Sequence, residues 1–161
     1  KTATRDGIKV RGFFRVQIVE DESGGQKIVG DSGWRKNTVV NLGFDQFLAQ
    51  TLAGMAGSKT VSHVALGTGG APAAADTSLA GEIMSSTQRK TVSPSTIASK
   101  TAQFTAAFAS SASFLTAAAN LSNIGLFNTS TAGTIFAGNT YTSSACATNQ
   151  SVNVTYQIRF S

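Results

Sequence analysis

Ser151-Val152-Asn153-Val154-Thr155-Tyr156-Gln157-Ile158-Arg159-Phe160 is the stretch whose reading decides the fold. Val152, Val154, Tyr156, Ile158 and Phe160 alternate with Asn153, Thr155, Gln157 and Arg159, the two-residue period of a strand with one face in a core and one in water. The outward positions before Arg159 are polar yet uncharged. The same holds far upstream, since residues 101–158 contain no Asp, Glu, Lys, Arg or His. Ordinary monomers keep charge on their surfaces for solubility and to blunt sheet edges. An uncharged β surface suits a protein whose outer face meets neighbours, and so points to assembly rather than catalysis.

Working back from that strand, residues 9–20 put Val10, Phe14, Val16 and Ile18 on one face and Arg11, Arg15 and Gln17 on the other. Glu20-Asp21-Glu22-Ser23-Gly24-Gly25 then predicts a turn with a returning strand over 26–30, a hairpin with a long loop. A second turn, Asp31-Ser32-Gly33, precedes an extended segment over 34–40. Phe44, Phe47, Leu48 and Leu52 recur at helical spacing, with Asn41 placed as N-cap, which predicts one short helix over about 43–53. Further strands are expected over 61–66, 85–92, 100–108, 120–127 and 133–141, and a turn of helix or an ordered arm over 76–84. Roughly seven or eight short strands with regular turn signals predict a mainly β protein, an antiparallel β-sandwich or jelly roll. Its core should hold Trp34, Phe44, Phe47, Leu48, Phe104, Phe108, Leu126, Phe127, Val154, Tyr156 and Ile158.

The 161 residues fit one compact domain, which buries roughly 70% of its unfolded surface and needs neither metal nor disulfide. Within it, residues 1–30 read as a basic N-terminal arm or hairpin ahead of a β-sandwich over 31–161, and the sandwich is expected to fold without residues 1–20. Net charge is +5, eight of the thirteen basic residues fall in the first 36, and no acid follows Glu82. Lys9, Arg11, Arg15, Arg35 and Lys36 are the candidate docking residues for an acidic protein surface. Asp6, Glu20, Asp21, Glu22 and Asp31 lie among these cations and no aromatic–basic interleaving follows, so nucleic acid is disfavoured as a partner. No run approaches the roughly 18 apolar residues of a membrane-spanning helix, and residues 1–10 carry no apolar signal-peptide core. Cys146 is alone, which excludes an intramolecular disulfide.

Little in the chain is suited to chemistry. Gly67-Thr68-Gly69-Gly70 follows a strand but lacks the Lys-Ser/Thr of a phosphate loop, and Pro72 favours a plain turn. His63 is the only histidine and has no companions at metal-ligand spacing. A Ser-His-Asp set with Asp45 or Asp76 has no nucleophile elbow to anchor it. A glycosidase needs two carboxylates, and beyond Asp31 only Asp45, Asp76 and Glu82 remain. Asn120, Asn128, Asn149 and Asn153 open Asn-x-Ser/Thr triplets that a composition so rich in these residues produces by chance. No catalytic, cofactor or metal residue is assigned.

Five segments taken in order resemble a group of small tailed-bacteriophage virion proteins. They are GDSGWRKNTVVNLGFDQFLAQTLAG (30–54), VSHVALGTGGAPAAADTSLAGEI (61–83), TAQFTAAF (101–108), IGLFNTSTAGTIFAG (124–138) and SVNVTYQIRF (151–160). Many members carry an acid just before the fourth segment, where this chain has Asn123. The resemblance implies a structural protein of the virion, assembled in the host cytoplasm, and most of all a capsid decoration or cement protein. Its partners would be the major capsid protein or other virion proteins and copies of itself, in the trimer common among jelly-roll decoration proteins, with no cofactor, small-molecule substrate or membrane. Two other readings stay open. One is a tail or fibre protein binding host glycan through Trp34, Tyr141 or Tyr156; the other is a non-viral extracellular filament or adhesin subunit.

Overall fold

A computed structural model describes residues 7–83 and 89–161. Among the described residues ten strands follow one another as β1 (Val10–Glu22), β2 (Gly25–Asp31), β3 (Arg35–Val39), β4 (His63–Gly67), β5 (Lys90–Thr91), β6 (Ser93–Ala98), β7 (Thr101–Phe108), β8 (Ala119–Phe127), β9 (Ile135–Cys146) and β10 (Ser151–Phe160). They hydrogen-bond in the order β5-β4-β8-β9-β3-β1-β10-β7-β6, with β2 also on β1, and every pairing is antiparallel. β5 and β6 stand at opposite ends of that order, yet only Val92 separates them in the chain. The sheet is therefore rolled until its ends nearly meet. The protein is mainly β, an almost closed barrel of sandwich-like form with one short helix.

Alternation in β1, β10 and β7 builds the inner wall. Registered rows run Phe14–Tyr156–Phe104, Val16–Val154–Ala106 and Ile18–Val152–Phe108, and Phe14, Tyr156 and Val152 are fully buried. Across the barrel they meet Leu121, Ile124, Leu126 and Phe136 in one core cluster, with Phe14 against Tyr141 edge-on at 5.9 Å. Phe127, Ile135, Val40 and Leu79 form a smaller cluster beside it. Phe47 is buried, and Leu48 and Phe104 pack half-buried against the main core. Tyr156 needs a partner for its hydroxyl at this depth, and the Asn37 amide of β3 donates to it. Asn37 can reach that oxygen because Gly12 lies opposite it; a Cβ on Gly12 would stand 1.4 Å from Asn37 Oδ1. Cys146 is fully buried, and burial pushes its thiol up to about 11.

Several expectations are corrected. Trp34 is 46% exposed, outside the core, because it sits in the bend between β2 and β3 that Gly33 makes at φ +63°. Phe44 is also 46% exposed, and Leu52 91%. The helix (α1) begins as a π-helix over Gly43–Ala49 and finishes as Gln50–Leu52. A π-turn takes more residues than an α-turn, so the 3.6-residue stripe slips: Phe47 and Leu48 meet the core while Phe44 and Leu52 turn outward. No side chain caps its start, and the Asn41 N–H is instead bound to the Ala74 carbonyl at 2.8 Å. β6 lies outside the expected strands, and its Pro94 is tolerated because β6 is at a sheet edge. Of the strand expected over 85–92, residues 85–88 lie outside the described residues, and Lys90–Thr91 pairs as β5. The expected helical turn over 76–84 is irregular chain as far as it is described, bridged to the sheet at Gly67–Glu82.

Of residues 1–30, the described strands β1 and β2 do not stand apart from the barrel. β1 and β2 form the anticipated hairpin, but β1 lies mid-sheet, paired to β10 on one side and to β2 and β3 on the other. A chain lacking residues 1–20 should therefore fail to fold, with loss of the near-ultraviolet circular dichroism signal and of a cooperative thermal transition. A sigmoidal transition in the truncated chain would mean that β10 holds without β1.

Candidate docking surface

The outward face of the same three strands is where charge is distributed unevenly. Its registered rows read Gln17–Asn153–Ala107, Arg15–Thr155–Thr105, Phe13–Gln157–Gln103 and Arg11–Arg159–Thr101. β10 and β7 thus present amides and hydroxyls, partly bonded to one another: Gln157 donates to Gln103 Oε1 at 2.9 Å, and Asn153 to Gln26 Oε1 at 3.0 Å. Cations gather at the end where β1 begins and β10 finishes. Arg159 donates twice to Gln157 Oε1, at 3.1 and 2.7 Å. Its guanidinium carbon sits 4.4 Å from the centre of the Phe13 ring, a cation–π contact. Arg11 is the register partner of Arg159, and Lys36 of Phe13. Lys9 follows one step outward, its backbone exchanging two hydrogen bonds with Ser161. Arg11, Phe13 and Lys36 also border a shallow crevice of about 190 Å³.

Among the described residues, Lys9, Arg11, Lys36 and Arg159 form no ion pair. The other two candidate docking residues are otherwise employed. Arg15 grips Asp31 with Nε at 3.0 Å and Nη2 at 2.5 Å, and Arg35 donates to the Ser32 carbonyl at 2.9 Å. The Arg15 guanidinium holds the Asp31 carboxyl far below its ordinary range, helped by the Gly33 N–H and Gln17 and opposed by partial burial. Arg159 was not singled out from sequence. Its signal was the alternation itself, which puts residue 159 outward and, once β1 is its neighbour, opposite Arg11.

A second polar centre also escaped the sequence reading. Arg89 lies buried over the Phe127 ring, 3.4 Å from its centre, and grips Glu82 with Nε at 2.6 Å and Nη2 at 3.0 Å. Its third nitrogen donates to the carbonyls of Thr129 and Ala132. Nothing in the spacing of Glu82 and Arg89 distinguishes them from surface charges. Asn123, fully buried, donates at 3.0 Å to the Gly70 carbonyl and at 2.8 Å to that of Ala80, tying the 67–83 loop to β8. A carboxylate there could not donate to either, so in this chain the position is a structural staple.

The possible chemistry around His63 takes a defined form. Ser62 Oγ lies 2.7 Å from His63 Nδ1 and 2.7 Å from the Asn128 carbonyl. A carbonyl only accepts, so the hydroxyl proton goes to Asn128 and His63 Nδ1–H donates to Ser62. The imidazole is thus not arranged to draw a proton from that serine. Partial burial, and then the Arg89 charge, lower the His63 pKa. Asp76 accepts from the Ala73 N–H at 2.8 Å. Among the described residues no group of three or more His, Cys, Asp and Glu gathers as for a metal, and no helix is long and apolar enough to cross a membrane. Compared with known proteins, the chain matches no family model, no curated protein and no solved structure.

Two stability measurements probe these ion pairs. Glu82→Ala strands a buried guanidinium and should cost about 3–5 kcal/mol in urea unfolding, whereas Glu82→Leu combined with Arg89→Met should recover most of it. Because the folded Asp31 carboxyl lies below its ordinary 3.8, its stabilisation is complete above that pH and fades as pH falls below it. The stability gap between wild type and Asp31→Asn should accordingly close below about pH 4. A gap unchanged in acid would assign the contribution to shape instead of charge.

Proposed function

We propose that the chain is a structural subunit of a tailed-bacteriophage virion, a decoration or cement protein that docks on an acidic shell surface. The observation that carries this reading is the set of outward cations that have no acidic partner among the described residues, Lys9, Arg11, Lys36 and Arg159, at one end of a sheet whose β10 and β7 present amides and hydroxyls. Opposed potentials of this kind steer encounter and fix orientation. The neutral face beside them can be covered without the several kcal/mol that each buried unpaired ion costs. Repetition over a particle then makes a modest single contact sufficient. The ordered resemblance of five segments to virion proteins supplies the setting.

Purified particles produced by the genome that encodes the chain should contain it in many copies. Added back to particles lacking it, the triple variant Arg11→Glu/Lys36→Glu/Arg159→Glu should bind at least about tenfold more weakly than wild type, and wild-type binding should weaken steeply with salt. Absence from particles, or attachment indifferent to both charge and salt, would overturn the proposal.

A further inference from the structure

At the same end of the barrel, on the inner side of the wall, an apolar groove of about 410 Å³ opens to solvent. Its floor is made by Phe104, Ile158 and Phe160 of β7 and β10, and its opposite side by Phe47 and Leu48 of α1 with Phe136 of β9. Elsewhere inward-facing side chains of β10 meet the far wall of the barrel. Here α1 ends at Leu52 and covers only one side of them. The lining contains one ionisable group, Lys59, whose ammonium is bonded to Gln46 on α1. Lys100 brings a second cation into the turn beside the groove, its backbone carbonyl taking the N–H of the lining residue Phe160 at 2.9 Å. Between Ile158 and Phe160 on β10, Arg159 begins the cationic surface of the outer face.

The geometry points to a partner segment with bulky apolar side chains for the groove and carboxylates flanking them for Lys59, Lys100 and the adjoining cations. This rests on the docking proposal and names the chemistry of its partner. Charge decides between the occupants. Residues 1–6, Lys-Thr-Ala-Thr-Arg-Asp, offer no large apolar side chain for the groove. A second copy laid groove to groove would bring Lys59, Lys100 and their counterparts together without an acid in either lining. An acidic segment instead neutralises the rim while its apolar centre is desolvated, the arrangement in which a few central contacts dominate affinity.

The test is fluorescence anisotropy on the full chain with three labelled hexapeptides: a Phe-Leu centre flanked by paired Asp, the same flanks around Ser-Ser, and Phe-Leu flanked by Lys. The first should bind at least about tenfold more tightly than either control. Lys100→Glu and Phe160→Ala should each weaken it by about tenfold. Lys100→Glu, a surface change, keeps the test decisive if Phe160→Ala does not fold. Equal binding of the Ser-Ser peptide, no binding of the first peptide at millimolar concentration, or a solution dimer abolished by Phe160→Ala would each overturn the inference. If the peptide fails while particle attachment still depends on Arg11, Lys36 and Arg159, the docking proposal stands and the groove assignment falls. If the peptide binds and the chain is absent from particles, the virion setting falls and the groove assignment survives.

Discussion

Val10 pairs with Phe160, Val19 with Ser151, and every residue between them follows in one unbroken register. The rest of the barrel hangs on that ladder of first strand against last. It sets which side chains of β1 face inward, and the interior rows follow from it through β7. The pairing closes nearly the whole chain as a loop, so its entropy must be spent before the ladder returns anything. What compensates is burial on a continuous wall, Phe14, Val16 and Ile18 against Tyr156, Val154 and Val152, at roughly 1.5–3 kcal/mol per large apolar side chain. Arg11 and Arg159 sit opposite each other on the two strands of this ladder, which holds them in fixed relation.

Two open edges of the sheet, β2 and β6, are guarded. β2 carries Lys27 and a register shift opposite Ile18 and Val19. β6 carries Pro94 and a shift between Thr96 and Ala98. A bulge twists an edge away from a would-be neighbour, and lysine or proline penalises the added strand. Ile28, Val29 and Ile97 are exposed on these same strands, so the guards lie where strand addition would otherwise be most favourable. Assembly by strand exchange is thus disfavoured, and contacts through the flat outer face and the barrel mouth gain by comparison.

How far the sequence reached depends on whether a feature is periodic. The alternations in 9–20, 100–108 and 151–160 were legible because a two-residue period survives whichever strand lies alongside. Trp34 and Phe44 were misplaced because their surroundings are aperiodic, one in a bend and the other in a helix wound off its usual period. The Glu82–Arg89 pair and the Asn123 staple left no pattern at all: both depend on loops that meet only after the barrel has rolled. The candidate docking surface stood in between. Arg11 and Lys36 could be picked out as basic residues, but only strand register distinguishes them from Arg15, which Asp31 neutralises, and adds Arg159.

β1 also gives the molecule a direction. It starts beside Lys9 and Arg11 and ends at Glu20, Asp21 and Glu22, where the hairpin tip has Lys27 as a counter-charge. At about 3.3 Å per residue the two ends of the strand are separated by roughly 30–40 Å, several Debye lengths in physiological salt. They act as independent charges of opposite sign on a rigid rod. On the proposed acidic surface one end would be attracted and the other repelled, so the strand that organises the core would also orient the molecule, cations down and hairpin tip outward. That orientation would place the mouth of the apolar groove on the attracted side, where an acidic segment rising from the same surface would meet it.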